Sequence, residues 1–261
     1  MTAEILGCIF IALVLIIGGD RTVKALITLC GNALIISLVI MTIYWGAQPL
    51  AVILCSCTAI CALILFYQNE VNIKTKAAFI SAMLISAFMI MLIVLFVYHG
   101  HIQGLAGTSL HNIREANGYY GNIGINMMLI QVSVILIALL GAVIDTSISI
   151  ASGCFEVARH HERIGRKEMF LSGMRIGGEI LSSTVNTLFF IFMGEFLVMF
   201  VNFALYCPVD IAINSKEFAQ GVICIMISAA GCILTIPTTA FTIAIFMKNR
   251  FTGEAQKAHS D

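Results

Sequence analysis

An all-α polytopic membrane protein of about seven transmembrane helices is the fold class this sequence predicts, and three observations predict it. Hydrophobic residues make up 60% of the 261 and charged residues only 11%, with a mean hydropathy of +1.01. A soluble domain has too little interior to hide that much apolar surface. The apolar residues gather in runs of span length. The basic residues gather in alternate breaks between those runs.

A helix needs about 20 mostly apolar residues to cross the hydrocarbon of a bilayer. Segments 3–19, 22–45, 49–67, 77–98, 123–152, 174–202 and 219–247 each qualify. No basic region precedes the first run, Glu4 stands at its start, and no small-residue cleavage site follows. It is therefore expected to be a retained span, not a signal peptide. Short polar breaks separate the first four runs, while the gap from His99 to Asn122 is long, polar and glycine-rich. The stretch 154–170 mixes Arg159, Arg163, Arg166 and Lys167 with Glu156, Glu162 and Glu168. Such mixed charge predicts a short helix lying on the membrane surface.

Charge placement gives the orientation. Arg21 and Lys24, then Lys74 and Lys76, then Arg159, Arg163, Arg166, Lys167 and Arg175, and finally Lys248, Arg250 and Lys257 fall in alternate breaks. Only Arg114 and Lys216 of the 14 basic residues lie on the other side. The positive-inside rule then predicts an outside N-terminus, a cytoplasmic C-terminus and an odd number of spans. One transmembrane domain, 1–261, is expected. Trp45 with Tyr44, and Tyr119 with Tyr120, suit an aromatic belt. Net charge is zero, so nothing points to a nucleic-acid partner, and the lipid bilayer is the expected environment.

Asp145 is the residue composition explains least. An acid within a spanning helix costs roughly 3 kcal/mol on insertion scales, and it usually faces a protein interior, a water cavity or an ion path. On a helix, Asp145, Ser149, Ser152 and Glu156 fall at i, i+4, i+7 and i+11 and share one face. Gly141 and Gln131 lie close to it. Such a row can hold water or pass protons; it can also form a hydrogen-bonded seam between helices.

The next run carries a second polar face, made of Ser172, Arg175, Glu179, Ser183 and Asn186. Arg175 and Glu179 stand at i, i+4, where they can pair. Gly173 and Gly177 form a small-xxx-small pair that allows close helix approach. Glu195, farther along, is open to three roles: reaching toward the exterior, facing a cavity, or marking a less costly place near the interface. In the last run Pro237 sits amid Thr235, Thr238 and Thr239. It frees a backbone carbonyl that threonine hydroxyls can satisfy, and reads as a kink, a hinge or an ion site.

The nine cysteines are odd in number and lie mostly within apolar runs, as small packing residues do. Cys57 and Cys61 share a helix face but need partners from another helix to bind metal. His99 with His101, and His160 with His161, fit solvated interfacial positions. No metal or other cofactor is expected. No Gly-rich phosphate loop and no Ser/His/Asp or Cys/His grouping stands at a plausible spacing, so no catalytic residue and no enzyme activity is expected.

The block from Gly141 to Leu188 resembles the signature of the YibE/YibF-like bacterial membrane proteins. The matching residues are Gly141, Ala142, Asp145, Ser149, Ile150 and Glu156; then Arg166, Lys167, Glu168 and Phe170; then Ser172, Gly173, Met174, Ile176 and Gly177; then Thr184, Asn186, Thr187 and Leu188. Leu234 to Pro237 with Thr239 and Ala240 also fits, and the likeness covers nearly the whole chain. Gly178 departs from the pattern, where members often carry an arginine, and so does Glu195. The resemblance implies a multi-pass protein of the bacterial cell membrane. It implies the YibF-type half, whose companion would be a YibE-type protein carrying an extracytoplasmic domain, in a homo- or hetero-oligomer. The same block is similar, more distantly, to the core of resistance–nodulation–division permeases and of SecD/SecF. That likeness implies a permease-like helical core. Three functions follow: a proton-coupled transporter or exporter subunit with Asp145 as the protonatable group and Ser149, Ser152, Glu156, Glu179 and Asn186 along the path; a SecD/SecF-like export or assembly factor; or a non-transporting scaffold. Gly141, Gly173, Gly177 and Pro237 are the expected packing positions.

Overall fold

A computed structural model of the chain describes residues 2–102, 126–160, 164–206, 208, 211 and 213–258. Arg114, Tyr119, Tyr120, Glu162 and Arg163 lie outside them, as do His161 and most of the long polar gap. Six α-helices account for nearly all the rest: α1 (Thr2–Tyr44), α2 (Pro49–Ala62), α3 (Ile73–His99), α4 (Met127–His160), α5 (Arg166–Tyr206) and α6 (Lys216–Ala258). A π-helical stretch, Leu63–Gln68, prolongs α2.

Local chemistry places the boundaries. The first two apolar runs merge into α1, broken at Gly19, where φ 57 and ψ −157 describe a backbone that glycine alone adopts readily. Gly46, at φ 90, turns the chain, and Pro49 opens α2 at a position where its missing N–H is no loss. The Thr75 hydroxyl accepts the Asn72 N–H at 2.8 Å at the start of α3. The Asn126 side chain accepts the Met128 N–H at 3.0 Å at the start of α4.

Six described helical segments are long and apolar enough to cross a membrane: Thr22–Tyr44, Pro49–Gln68, Ile73–His99, Met127–His160, Arg166–Tyr206 and Phe218–Phe246. The N-terminal part of α1 holds a shorter apolar helix, Glu4–Val14. Large apolar side chains stand exposed along the outside, among them Leu6, Leu34, Met91 and Phe190. Surfaces of that kind belong against lipid or another protein, and the chain is a multi-pass membrane protein.

The core centres on α4. Leu136, Leu139, Leu140, Ile144 and Ile150 of α4 are fully buried against Met89 and Ile93 of α3 and Ile243 of α6. Of the most apolar window in α4, 44% is buried; in α5 the share is 6%. So α4 is the hub, while α5 touches α4 and α6 along one side and leaves its other side bare. α1 leans on α2 and its π-helical extension.

Two expectations change. The stretch 154–170 is not one surface helix: Cys154 to His160 completes α4, and Arg166 opens α5. Continuous i→i+4 hydrogen bonding and the buried Cys154 and Ala158 hold the end of α4 to the core. Around Pro237, the unpaired carbonyl is that of Ile233, four residues earlier. Among the described residues no threonine hydroxyl takes it: Thr235 donates to the Gly231 carbonyl at 2.7 Å, Thr238 to that of Leu234 at 3.0 Å, and the buried Thr239 hydroxyl makes no hydrogen bond there. One hydroxyl pair does cross between helices, with Ser81 of α3 donating to Thr242 of α6 at 3.2 Å.

Candidate functional site

The buried residues of α4 turn its other face outward. Val134, Ala138, Gly141, Asp145 and Ser149 are exposed along that face, Gln131 and Ser152 are half-buried, and Glu156 is exposed. The single row read from the spacing is therefore real as geometry, but the described residues do not enclose it. Asp145 lies open, not in the protein interior. Among the described residues no hydrogen bond or ion pair engages its carboxylate. Its neighbour Thr146 is fully buried and donates to the Ala142 carbonyl at 2.8 Å. Cys232 of α6 faces Thr146 and lies within electrostatic reach of Asp145. At the far end of the row, Glu156 meets His160 Nε2 at 3.3 Å on an exposed surface.

The glycines divide by role. A β-carbon on Gly173 of α5 would lie 2.7 Å from Ala240 Cβ of α6 and 3.0 Å from Cys154 Sγ of α4. One on Gly177 would run into Ile236. These two glycines let α5 close onto α6 and α4 near its Arg166 end. Gly141 is different: a β-carbon there would meet nothing within 4 Å, so it packs against no described helix.

Farther from that end the three helices part around an open cavity of about 300 Å³. Gln131, Val134 and Ala138 of α4 form one wall, Leu188, Phe192 and Glu195 of α5 a second, and Gln220 and Cys224 of α6 the floor. Ala138 and Asp145 are two turns apart on the same face, about 10 Å along the axis. The acid thus lies on the same face of α4 as the cavity, beyond its end, and does not line it. Gln220 Nε2 donates to the Ile102 carbonyl at 2.6 Å and reaches Gln131 Oε1 at 3.4 Å. Of the three roles open to Glu195, it is the cavity wall that the structure shows.

The second polar face joins neither the cavity nor the Asp145 row. Gly173, Gly177 and Leu188 define the inner side of α5; Arg175, Glu179, Ser183 and Asn186 lie on the opposite side, and all four are exposed. Glu179 and Asn186 therefore do not approach Asp145. Among the described residues Arg175 and Glu179 form no ion pair.

Sequence reasoning passed over Gln220 and the aromatic cluster beside the cavity. Phe192 and Phe196 stack with centroids 5.0 Å apart, and Phe200 lies 5.8 Å from Phe192. The signal was present as phenylalanines at i, i+4 and i+8. Within a run rich in phenylalanine, that spacing alone does not separate a cavity wall from a lipid-facing stripe.

An α-helical multi-pass membrane protein with an exposed acid on one of its helices, and with no soluble domain among its described residues, is the class this geometry defines. The family follows from comparison: residues 6–249 match the model of the YibE/F-like proteins, and the chain belongs to that family. No curated protein and no solved structure matches the chain.

Proposed function

We propose that this chain is a subunit of a proton-coupled membrane transporter or exporter, with Asp145 as the group that takes up and releases the proton. The observation that carries this reading is the open position of Asp145 on a polar face of α4, with Gly141 on one side of it and Ser149, Ser152 and Glu156 on the other. A carboxylate with no partner among the described residues is not stable against hydrocarbon. It calls for water, a proton or a second protein. Hydroxyls leading to an exposed carboxylate give a water-filled route to one membrane face, which the basic residues identify as the cytoplasmic one.

The partner is read from the same logic. The Asp145 row and the Glu179–Asn186 face both need covering within a membrane. A YibE-type protein carrying an extracytoplasmic domain is the proposed companion. In this reading Glu179 and Asn186 act in holding the complex together, not in the proton route. A non-transporting scaffold is the second reading, and the position of Glu179 and Asn186 on a separate outward face favours it.

The two readings part on one measurement. The chain is coexpressed with its partner, reconstituted in vesicles containing a pH-sensitive dye, and given a pH gradient. Asp145→Asn, present at the same level of folded complex, is expected to reduce proton flux to that of empty vesicles. Unchanged flux in that variant, or none in the wild type, would leave the scaffold.

A further inference from the structure

We propose that the cavity between α4, α5 and α6 binds a monovalent organic cation with an apolar body, with Glu195 supplying the counter-charge and Phe192 and Phe196 the faces against which it rests. As the identity of a transported substrate this rests on the transport reading; as a binding site it stands without it.

The charge of the cavity sets the sign of the ligand. Among its described lining residues Glu195 is the one acid, and none is a lysine, arginine or histidine. An anion would be repelled, and a neutral ligand would leave the carboxylate uncompensated. The remaining polar groups are few. Gln131 Oε1 already faces Gln220 Nε2, and Gln220 is further held by the Ile102 carbonyl. That leaves too few free oxygens to replace the water around a small metal ion. An organic ammonium is less strongly hydrated and needs only one carboxylate.

The shape is also specific. Glu195, Gln131 and Gln220 gather at the end of the cavity nearer the start of α4. Two turns along, Ala138 and Leu188 make the other end mostly apolar, and the Ser228 hydroxyl there is already donated to the Cys224 carbonyl at 2.8 Å. The ligand should have the same polarity: a charged head and an apolar body. Ring faces attract cations through the aromatic quadrupole. Gly221 of α6 is what admits the rings: a β-carbon there would lie 2.7 Å from Phe192 Cε2 and 2.8 Å from Phe196 Cε2. A volume of about 300 Å³ is at the small end for ligand pockets. The shared chemistry, an ammonium on an apolar body, occurs both in free amines and in lipid headgroups.

The test is equilibrium dialysis of radiolabelled benzyltrimethylammonium against the full chain, with any copurifying partner, in dodecyl maltoside, a detergent without charge or ammonium. Saturable one-to-one binding is expected. Glu195→Gln should weaken it at least about tenfold, and Phe192→Leu about threefold, at unchanged melting temperature. Neopentylbenzene, which has carbon in place of the nitrogen, should not displace the probe. Asp145→Asn should leave binding within about twofold, because its carboxylate lies two turns beyond the cavity. Adding phosphatidylethanolamine tells the sources apart: displacement of the probe assigns the site to a lipid headgroup, and no displacement assigns it to a free cation. Absent saturable binding by folded wild type, equal binding by Glu195→Gln, or equal displacement by the neutral isostere would each overturn the proposal. Probe binding without proton flux would sink the transport reading and leave the site standing; flux without binding would do the reverse.

Discussion

Gly173 of α5 lies where a β-carbon would come within 2.7 Å of Ala240 Cβ on α6 and within 3.0 Å of Cys154 Sγ on α4. Three helices meet at that one missing side chain. Gly173→Val should force them apart and cost about 1–3 kcal/mol, as overpacking does. It should appear as a lower melting temperature of the purified chain in detergent. Gly141→Ala, which meets no atom within 4 Å, should leave that temperature unchanged within experimental error. Equal losses at the two sites would contradict the assignment of close packing to Gly173 and not to Gly141.

At Asp145 the chemistry of the group matters more than its volume. Asp145→Glu keeps the carboxylate and moves it by one methylene on an open face, so reconstituted vesicles should retain measurable flux. Asp145→Asn keeps the size and loses the titration, and flux should vanish. Ser149→Ala should slow flux by less than about tenfold, since water can take the place of a hydroxyl on an exposed face. A Ser149→Ala defect as complete as that of Asp145→Asn would mean that the hydroxyl does more than hold water.

The outward face of α5 predicts a separation between folding and assembly. Glu179→Leu and Asn186→Leu touch side chains exposed in the chain, so the isolated protein should melt at the wild-type temperature or slightly above. Recovery of the membrane partner in copurification should fall several-fold. Full recovery with both leucines in place would show that this face meets lipid, not protein.

Between α3 and α6 the Ser81–Thr242 hydrogen bond, 3.2 Å long and buried, should contribute little. Bonds between polar side chains of membrane helices average about 0.6 kcal/mol. Ser81→Ala should therefore lower stability by about that amount in a denaturation measurement, far less than Gly173→Val. Thr242 keeps its own bond to the Thr238 carbonyl at 2.7 Å, so losing Ser81 does not strand it.

Much of the fold is legible along the chain because helical hydrogen bonds are local and hydrocarbon demands that they be made. Segments 49–67, 77–98, 174–202 and 219–247 all fall within observed helices. Boundaries were less legible. Nothing in the charge pattern of 154–170 says that Cys154 and Ala158 are buried, and their burial is what carries α4 on to His160. The Gly173–Gly177 pair marked a close approach, but not that its partners would be Ala240 and Ile236.

The candidate site shows the same division more sharply. Periodicity of 3.6 residues was enough to put Asp145, Ser149, Ser152 and Glu156 in one row, and Glu179 and Asn186 in another, because a helix face is a property of spacing. Which way each row looks is a property of packing. The buried face of α4, from Leu136 to Ile150, turns Asp145 to the open side of the helix, and Gly173 and Gly177 seat α5 so that Glu179 points away from it. Glu195, ambiguous along the chain, becomes a cavity wall only when Gln131 of α4 and Gln220 of α6 are brought beside it.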